Sequence, residues 1–393
     1  MSHIPPVAPQ PFSPLNILLI KRNILVQAIR TPKLLLVTSL ALGIIVTLAY
    51  FLFSQLKNRS TRPQPLNGTP PSKPSISAIA RPSIGISAIS RADFEARIIK
   101  EYGELETQYP VENHPSVEEG FSSAALLPEN QPFNVYPNII PYEDNRVKAV
   151  PFYFNASWIY RQIPPLLSRA IASQGPTQNQ HARFWHMALR TSKVIVTLSL
   201  PKDDSIYWPE KLNQPLRLEE KGVSPITVVK FSEESVNGII KRQFAVATAV
   251  GFSKTIIQLQ IPDWPEHTGA YINTGGVISK ERLATALETL DKLLDEMNSN
   301  FIVHCVAGTG RTGTFLAAFE AFTRLKYGSQ QLSKDLTKDL IWNVAVEGRS
   351  KELGRNGFIR SYDQYLLIYD TLMKMFPALT YEDVSRPKRP AAK

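Results

Sequence analysis

The sequence predicts an α/β (α+β) domain, a central twisted mixed sheet flanked by helices, carried behind one N-terminal transmembrane helix. Three observations lead there. Apolar runs of strand length and long amphipathic helical runs are mixed along residues 93–383. A stretch of twenty residues near the N-terminus carries no charge at all. Residues 1–92 contain ten Lys or Arg and no Asp or Glu, whereas the other 301 residues carry 34 charges of each sign. The formal net charge of +10 therefore belongs to the N-terminal arm. The body has no global attraction for nucleic acid, and none is expected as a partner.

Residues 1–33 form a basic segment, in which 15–29, "LNILLIKRNILVQAI", is loosely amphipathic. Leu34 to Phe53 then reads "LLLVTSLALGIIVTLAYFLF", long enough at a helical rise to cross roughly 30 Å of hydrocarbon. The span is placed at Leu34–Leu56. A core helix of this length would show a polar face, and a cleaved signal peptide would start earlier and be shorter. A mitochondrial-type presequence is the weaker alternative that an acid-free, arginine-bearing arm leaves open. Arg30 and Lys33 before the run balance Lys57 and Arg59 after it, so charge does not set the topology. Residues 57–92 are rich in Pro and Ser and contain a short duplication, "PSISAIAR" then "PSIGISAISR", which predicts an extended tether. The basic "RPKRPAAK" at the C-terminus predicts a solvated tail over 384–393.

Within the body, "ADFEARIIKEYGELET" places Phe94, Ile98, Tyr102 and Leu105 on one helical face. "KVIVTLSL" (193–200) and "SKTIIQLQI" (253–261) read as strands, and 276–300 as a helix with Leu283, Leu287, Leu290 and Leu294 inward. "NFIVHC" is a further short strand, and a helix follows the glycines after it.

That last junction carries the chemistry. Cys305 is the only cysteine in 393 residues, which excludes an intrachain disulfide framework and a Cys-rich zinc site. A thiol working alone stays reduced most easily in a cytosolic compartment. It ends a strand, precedes the loop Val306, Ala307, Gly308, Thr309 and Gly310, and is followed by Arg311 at a helix start. Backbone N–H groups of such a loop, aided by the helix dipole, form an anion cradle. Arg311 supplies a planar fork for two phosphate oxygens, and the positive surroundings should depress the Cys305 pKa. Thr312 can donate its hydroxyl to the sulfur, and His304 orders the loop rather than transferring protons.

The string "VHCVAGTGRTG" resembles the H-C-x(5)-R-[S/T] signature of the cysteine-dependent protein tyrosine phosphatases. Further segments are similar to the family's motifs, in the family's order. They are "FNVYPNIIPYEDNRVKAVPFYFNASWI", "SQGPTQNQHARFWHMAL", "SIYWP", "DWPEHTG" and "GRNGFIRSYDQYLLIYDTL". The resemblance implies the tyrosine phosphatase fold, phosphotyrosine-containing proteins as partners, and catalysis without metal or cofactor. It further implies that Glu266 is the general acid, at a position where the family carries aspartate, with Trp264 beside it as a substrate-binding residue; Asp263, just upstream, is a reserve acid outside the matched position. Tyr136 matches the ring that sets pocket depth, and Asn138 stands where many relatives use aspartate to hold the peptide. Gln364 matches a water-positioning glutamine. Arg360 occupies the place of a second one and is the largest departure. Glu266 and Arg360 keep a phosphotyrosine-binding pseudophosphatase in play as an alternative, and the bilayer that the arm supplies keeps a phosphoinositide phosphatase as another. A single-pass membrane protein with its domain on a reducing, cytosolic side is expected. Pathogen-delivered members of the family make delivery into a host cell a further alternative.

Overall fold

The computed structural model describes residues 90–160, 170–199, 206–265, 278–327 and 339–379. The chain divides into two units, Met1–Ile84 and Gly85–Lys393. The predicted membrane span, the first unit that contains it, and the tail lie outside the described residues, and so does Glu266. Among the described residues no helix is long and apolar enough to cross a membrane.

Among the described residues the second unit is built on an eight-stranded mixed sheet: β1 (Ala156–Ile159), β2 (Ala170–Ser173), β3 (Val194–Thr197), β4 (Pro215–Glu220), β5 (Val223–Val236), β6 (Ile239–Thr248), β7 (Ser253–Gln260) and β8 (Phe301–His304), in the order β1-β2-β8-β3-β7-β6-β5-β4. The central strands β2, β8, β3 and β7 run parallel, and the outer pairs are antiparallel. Alternate residues feed two cores, as the period of a strand requires. Ala172, Val196 and Val303 point to one face, and Ile171, Ile195 and Ile302 to the other. Helices cover both faces: α1 (Arg91–Gln108), the single turn α2 (Ser123–Leu126), α3 (His181–Thr191), α4 (Lys280–Met297), α5 (Gly310–Tyr327), α6 (Leu340–Arg349) and α7 (Tyr362–Met375). The expected architecture of a mixed sheet between helices is therefore present.

The helical patterns explain the packing. Phe94, Ile98, Tyr102 and Leu105 of α1 are buried, as are Leu283, Leu287, Leu290 and Leu294 of α4. Each such leucine contributes about 2 kcal/mol by leaving water. The first helix starts at Arg91, two residues before the expected boundary, because Ser90 caps it: Ser90 Oγ accepts from the Asp93 N–H at 3.1 Å. A buried carboxylate, Glu101, fastens α1 to α7 by accepting from Tyr365 Oη (2.5 Å) and Tyr369 Oη (2.6 Å). The helix α4 stops at Asn298, which turns to φ +42°.

The centre of the sheet positions the site. Pairing puts Ser173, His304 and Thr197 in one row across β2, β8 and β3. The chain leaves the sheet at Cys305, at the carboxyl ends of three parallel strands, where open α/β sheets place their ligands.

Candidate active site

The loop after β8 is clamped from three sides. Gly175 N–H donates to the Val306 carbonyl at 2.9 Å, and Gly313 N–H to the Thr309 carbonyl at 2.6 Å. Arg355 Nη2 donates to the Ala307 carbonyl at 3.2 Å. Among the described residues no backbone carbonyl takes up the N–H groups of Val306, Ala307, Gly308 or Thr309. With α5 starting at Gly310, these groups and the helix N-terminus make an anion cradle.

Gly308 sits at φ +75°, and a Cβ there would lie 2.2 Å from the Ser173 carbonyl oxygen. Both the conformation and the space demand glycine. Gly308→Ala is expected to cost about 2–4 kcal/mol, read as a lower denaturant midpoint with an unchanged slope.

Cys305 is 5% exposed. Burial pushes its thiol up, but the Arg311 guanidinium, the Thr312 hydroxyl and N–H, and the Gly308 N–H outweigh burial and hold it below the ordinary thiol value. Thr312 Oγ1 is itself buried beside the sulfur and has no other partner among the described residues. Arg311 is buried and donates from Nη1 to the carbonyls of Trp264 (3.1 Å) and Leu198 (3.3 Å). The Trp264 ring is 1% exposed and belongs to the core. It therefore reaches the site through its carbonyl, aiming Arg311, and does not line a substrate pocket.

His304 is buried beneath the loop. Its Nδ1 lies 3.2 Å from the Cys305 carbonyl, which can only accept, so the proton resides on Nδ1. Nε2 then accepts from Tyr207 Oη at 2.7 Å, with Thr197 Oγ1 at 3.0 Å, and Gln258 Nε2 donates to both of those oxygens. Burial first, and the nearby Arg311 charge, push the imidazole down to about 4. It is neutral at pH 7 and positions the nucleophile's backbone. The sign of its linkage follows. The unfolded chain takes up a proton near 6.5 that the folded chain refuses until about 4, so this histidine withdraws stability as pH falls through that window. Up to about 3 kcal/mol should be lost by pH 4, and a pH series of denaturant midpoints on the wild type and His304→Gln measures it.

Arg355 is a second buried cation, which sequence reading did not single out. It is fully buried, donates to Asn155 Oδ1 at 2.6 Å and Ser157 Oγ at 3.3 Å, and lies near enough to Cys305 to feel its charge. Burial lowers its pKa to about 10, still far above neutrality. Asn155 also donates to Asn134 Oδ1 (2.8 Å) and the Ile139 carbonyl (2.7 Å). Gln174 spans from the Val135 N–H to the Phe133 carbonyl. The segment carrying Tyr136 is thereby strapped to the cysteine loop. Tyr136 itself is 45% exposed, not a core aromatic. Asn138 donates to Asn113 Oδ1 at 3.3 Å, and its carbonyl accepts from Asn356 Nδ2 at 2.9 Å.

Gln364 and Arg360 meet at the loop's rim. The Arg360 N–H donates to Gln364 Oε1 at 2.9 Å. A Cβ on Gly310 would lie 3.1 Å from Gln364 Nε2 and 3.3 Å from Arg360 Cγ. Asp263, the reserve acid, pairs with Arg282 at 3.0 Å, which ties it to α4.

A thiol held below its ordinary pKa at the foot of an amide cradle, with an arginine beside it and a parallel sheet behind it, is an arrangement that can hold an anion against a nucleophile. The family model described as protein-tyrosine phosphatase matches residues 130–374, more than half of the chain, and the chain belongs to that family. It is 33% identical over 205 residues to tyrosine-protein phosphatase 3 of Schizosaccharomyces pombe, covering 49% of this chain and 64% of that protein. It is 30% identical over 267 residues to the human phosphatidylinositol phosphatase PTPRQ, covering 65% of this chain and 10% of that protein. The chain thus spans less than two thirds of either relative. The crystal structure of a protein tyrosine phosphatase of Trypanosoma brucei shares the fold, with TM-score 0.59 and 23% identity over 75% of this chain and 97% of that one.

Proposed function

We propose that the protein hydrolyses phosphotyrosine on proteins through a phosphocysteine intermediate. The observation that carries this reading is the buried Cys305, held below the ordinary thiol pKa by Arg311, Thr312 and the Gly308 N–H, at the foot of a loop whose amides no backbone carbonyl takes up among the described residues. In the first step Cys305 Sγ attacks phosphorus and the bond to the phenolic oxygen breaks. Arg311 and the amides take the charge of the transferring phosphoryl group, and Glu266 gives its proton to the leaving phenolate. Water then attacks the phosphocysteine with Glu266 as base, the sulfur leaves, and Thr312 donates to it. Gln364, beside Gly310, is placed to orient that water. Turnover of a phosphotyrosine peptide by the full chain in the presence of a chelator tests the reading, which fails if the peptide binds without release of phosphate.

The membrane belongs to the same proposal. In this reading Leu34–Leu56 anchors the domain and 57–92 tethers it, and a lone thiol suits a reducing side. Extraction of the full chain by alkaline carbonate, but not by detergent-free neutral buffer, would contradict an integral anchor. A second reading, hydrolysis of a phosphoinositide in that membrane, is favoured by the similarity to a phosphatidylinositol phosphatase and by Arg360 as an extra cation at the rim. Turnover on phosphoinositide vesicles exceeding that on phosphopeptides would select it.

A further inference from the structure

A cleft of about 350 Å³ lies between the end of α1, the Glu119–Tyr142 region and the turn after α6. Its walls carry the aromatic rings of Tyr109, Phe121 and Tyr142 and three carboxylates, Glu112, Glu119 and Glu352. Glu112 accepts from the His114 N–H at 2.7 Å, and Glu119 from the Ser116 N–H at 3.2 Å. None of the three has an ion-pair partner among the described residues. Two cations border the cleft. Arg349 is spent on the Phe358 and Tyr109 carbonyls and on Glu106, and Lys351 is exposed with its stem against Gly120. The cleft therefore keeps a surplus of negative charge.

A second observation points to a ligand. Tyr142 is 94% buried, in a tilted ring contact with Phe121 at 4.5 Å, and its hydroxyl, which has no hydrogen-bond partner among the described residues, opens to the cleft rather than being sealed in the core. Burial, and then the charges of Glu112, Glu119 and Glu352 in turn, push that hydroxyl up to about 12. The three carboxylates of the cleft are thus the charges that reach it. They do not form a metal-ligand group: no such cluster exists among the described residues. Spread carboxylates around aromatic rings suit a long organic cation, whose charge can be shared and whose face can stack.

The cleft adjoins the substrate-recognition segment. Asn356 Oδ1 accepts from the Glu112 N–H, and Asn356 Nδ2 donates to the carbonyls of both Glu112 and Asn138, each at 2.9 Å. Resting on the phosphotyrosine reading above, we propose that the cleft takes the arginine or lysine side chain of a residue flanking the phosphotyrosine. The enzyme then selects basic phosphopeptides.

The test compares the full chain with its Glu112→Gln, Glu119→Gln, Glu352→Gln triple variant. The probes are two phosphotyrosine peptides differing only in flanking arginines or glutamates, with phenyl phosphate as a substrate too small to reach the cleft. The wild type should favour the arginine peptide by about tenfold in kcat/KM, through KM. The triple variant should lose that preference with phenyl phosphate turnover unchanged. Equal use of both peptides by the wild type, or a preference that survives in the variant, overturns the proposal. Calorimetric binding of the unphosphorylated arginine peptide reads the cleft without the chemistry. Binding that the triple variant loses, in a chain that turns over no phosphate ester, removes the phosphatase reading and leaves the cleft as a site for basic peptides. No binding together with no turnover overturns both.

Discussion

Cys305→Ser is expected to lower hydrolysis of a phosphotyrosine peptide by at least about 10⁴-fold while the peptide still binds. The cradle is made by backbone groups and Arg311, none of which the substitution removes. What disappears is a sulfur whose ionisation the surroundings favour. The Arg311 charge, Thr312 and the Gly308 N–H stabilise a thiolate against the cost of burial, and the same contacts cannot ionise a serine hydroxyl at neutral pH. Single-turnover kinetics alongside peptide binding separate the two effects. Binding that vanishes with turnover would mean that the substitution had disturbed the loop.

Arg311→Lys is expected to cost about 10²–10³-fold in kcat, although charge is conserved. The guanidinium is aimed by the Leu198 and Trp264 carbonyls, both through Nη1, and its planar fork suits two phosphate oxygens. An ammonium on a flexible stem cannot keep both backbone contacts and present a fork. The same change should raise the Cys305 pKa, since Arg311 is the largest influence lowering it. Inactivation by a thiol alkylating agent, followed against pH, should therefore move to higher pH in the variant. An alkylation profile identical to the wild type would show that Arg311 does not govern the thiol.

These expectations rest on residues with different legibility in the sequence. Cys305, Arg311 and the glycines were readable because a strand, a loop and a helix start lie contiguous in the chain, so local pattern defines them. The helices α1 and α4 were readable because their apolar residues keep helical spacing. Arg355, Asn155 and Gln174 were not. Each acts through contacts with residues far away in sequence, and an arginine in "GRNG" looks the same in solvent as under a phosphate loop. The Trp264 ring could be placed beside the acid loop by motif, but its burial and its carbonyl's grip on Arg311 depend on tertiary packing. No strand is singled out from the sequence at β2, β4, β5 or β6. For β5 and β6 a local signal existed, since Asn237–Gly238, both at positive φ, makes the hairpin turn between them. The cleft at Glu112, Glu119 and Glu352 joins three separate segments, and no local pattern announces it.

The central claim is that phosphate passes through the sulfur of Cys305. The most direct measurement is mass spectrometry of the full chain, quenched in acid within one turnover of a phosphotyrosine peptide and then digested. The predicted result is a phosphoryl group on the fragment containing Cys305, absent in Cys305→Ser. Phosphate released with no such adduct, or peptide held with neither adduct nor phosphate, would contradict it.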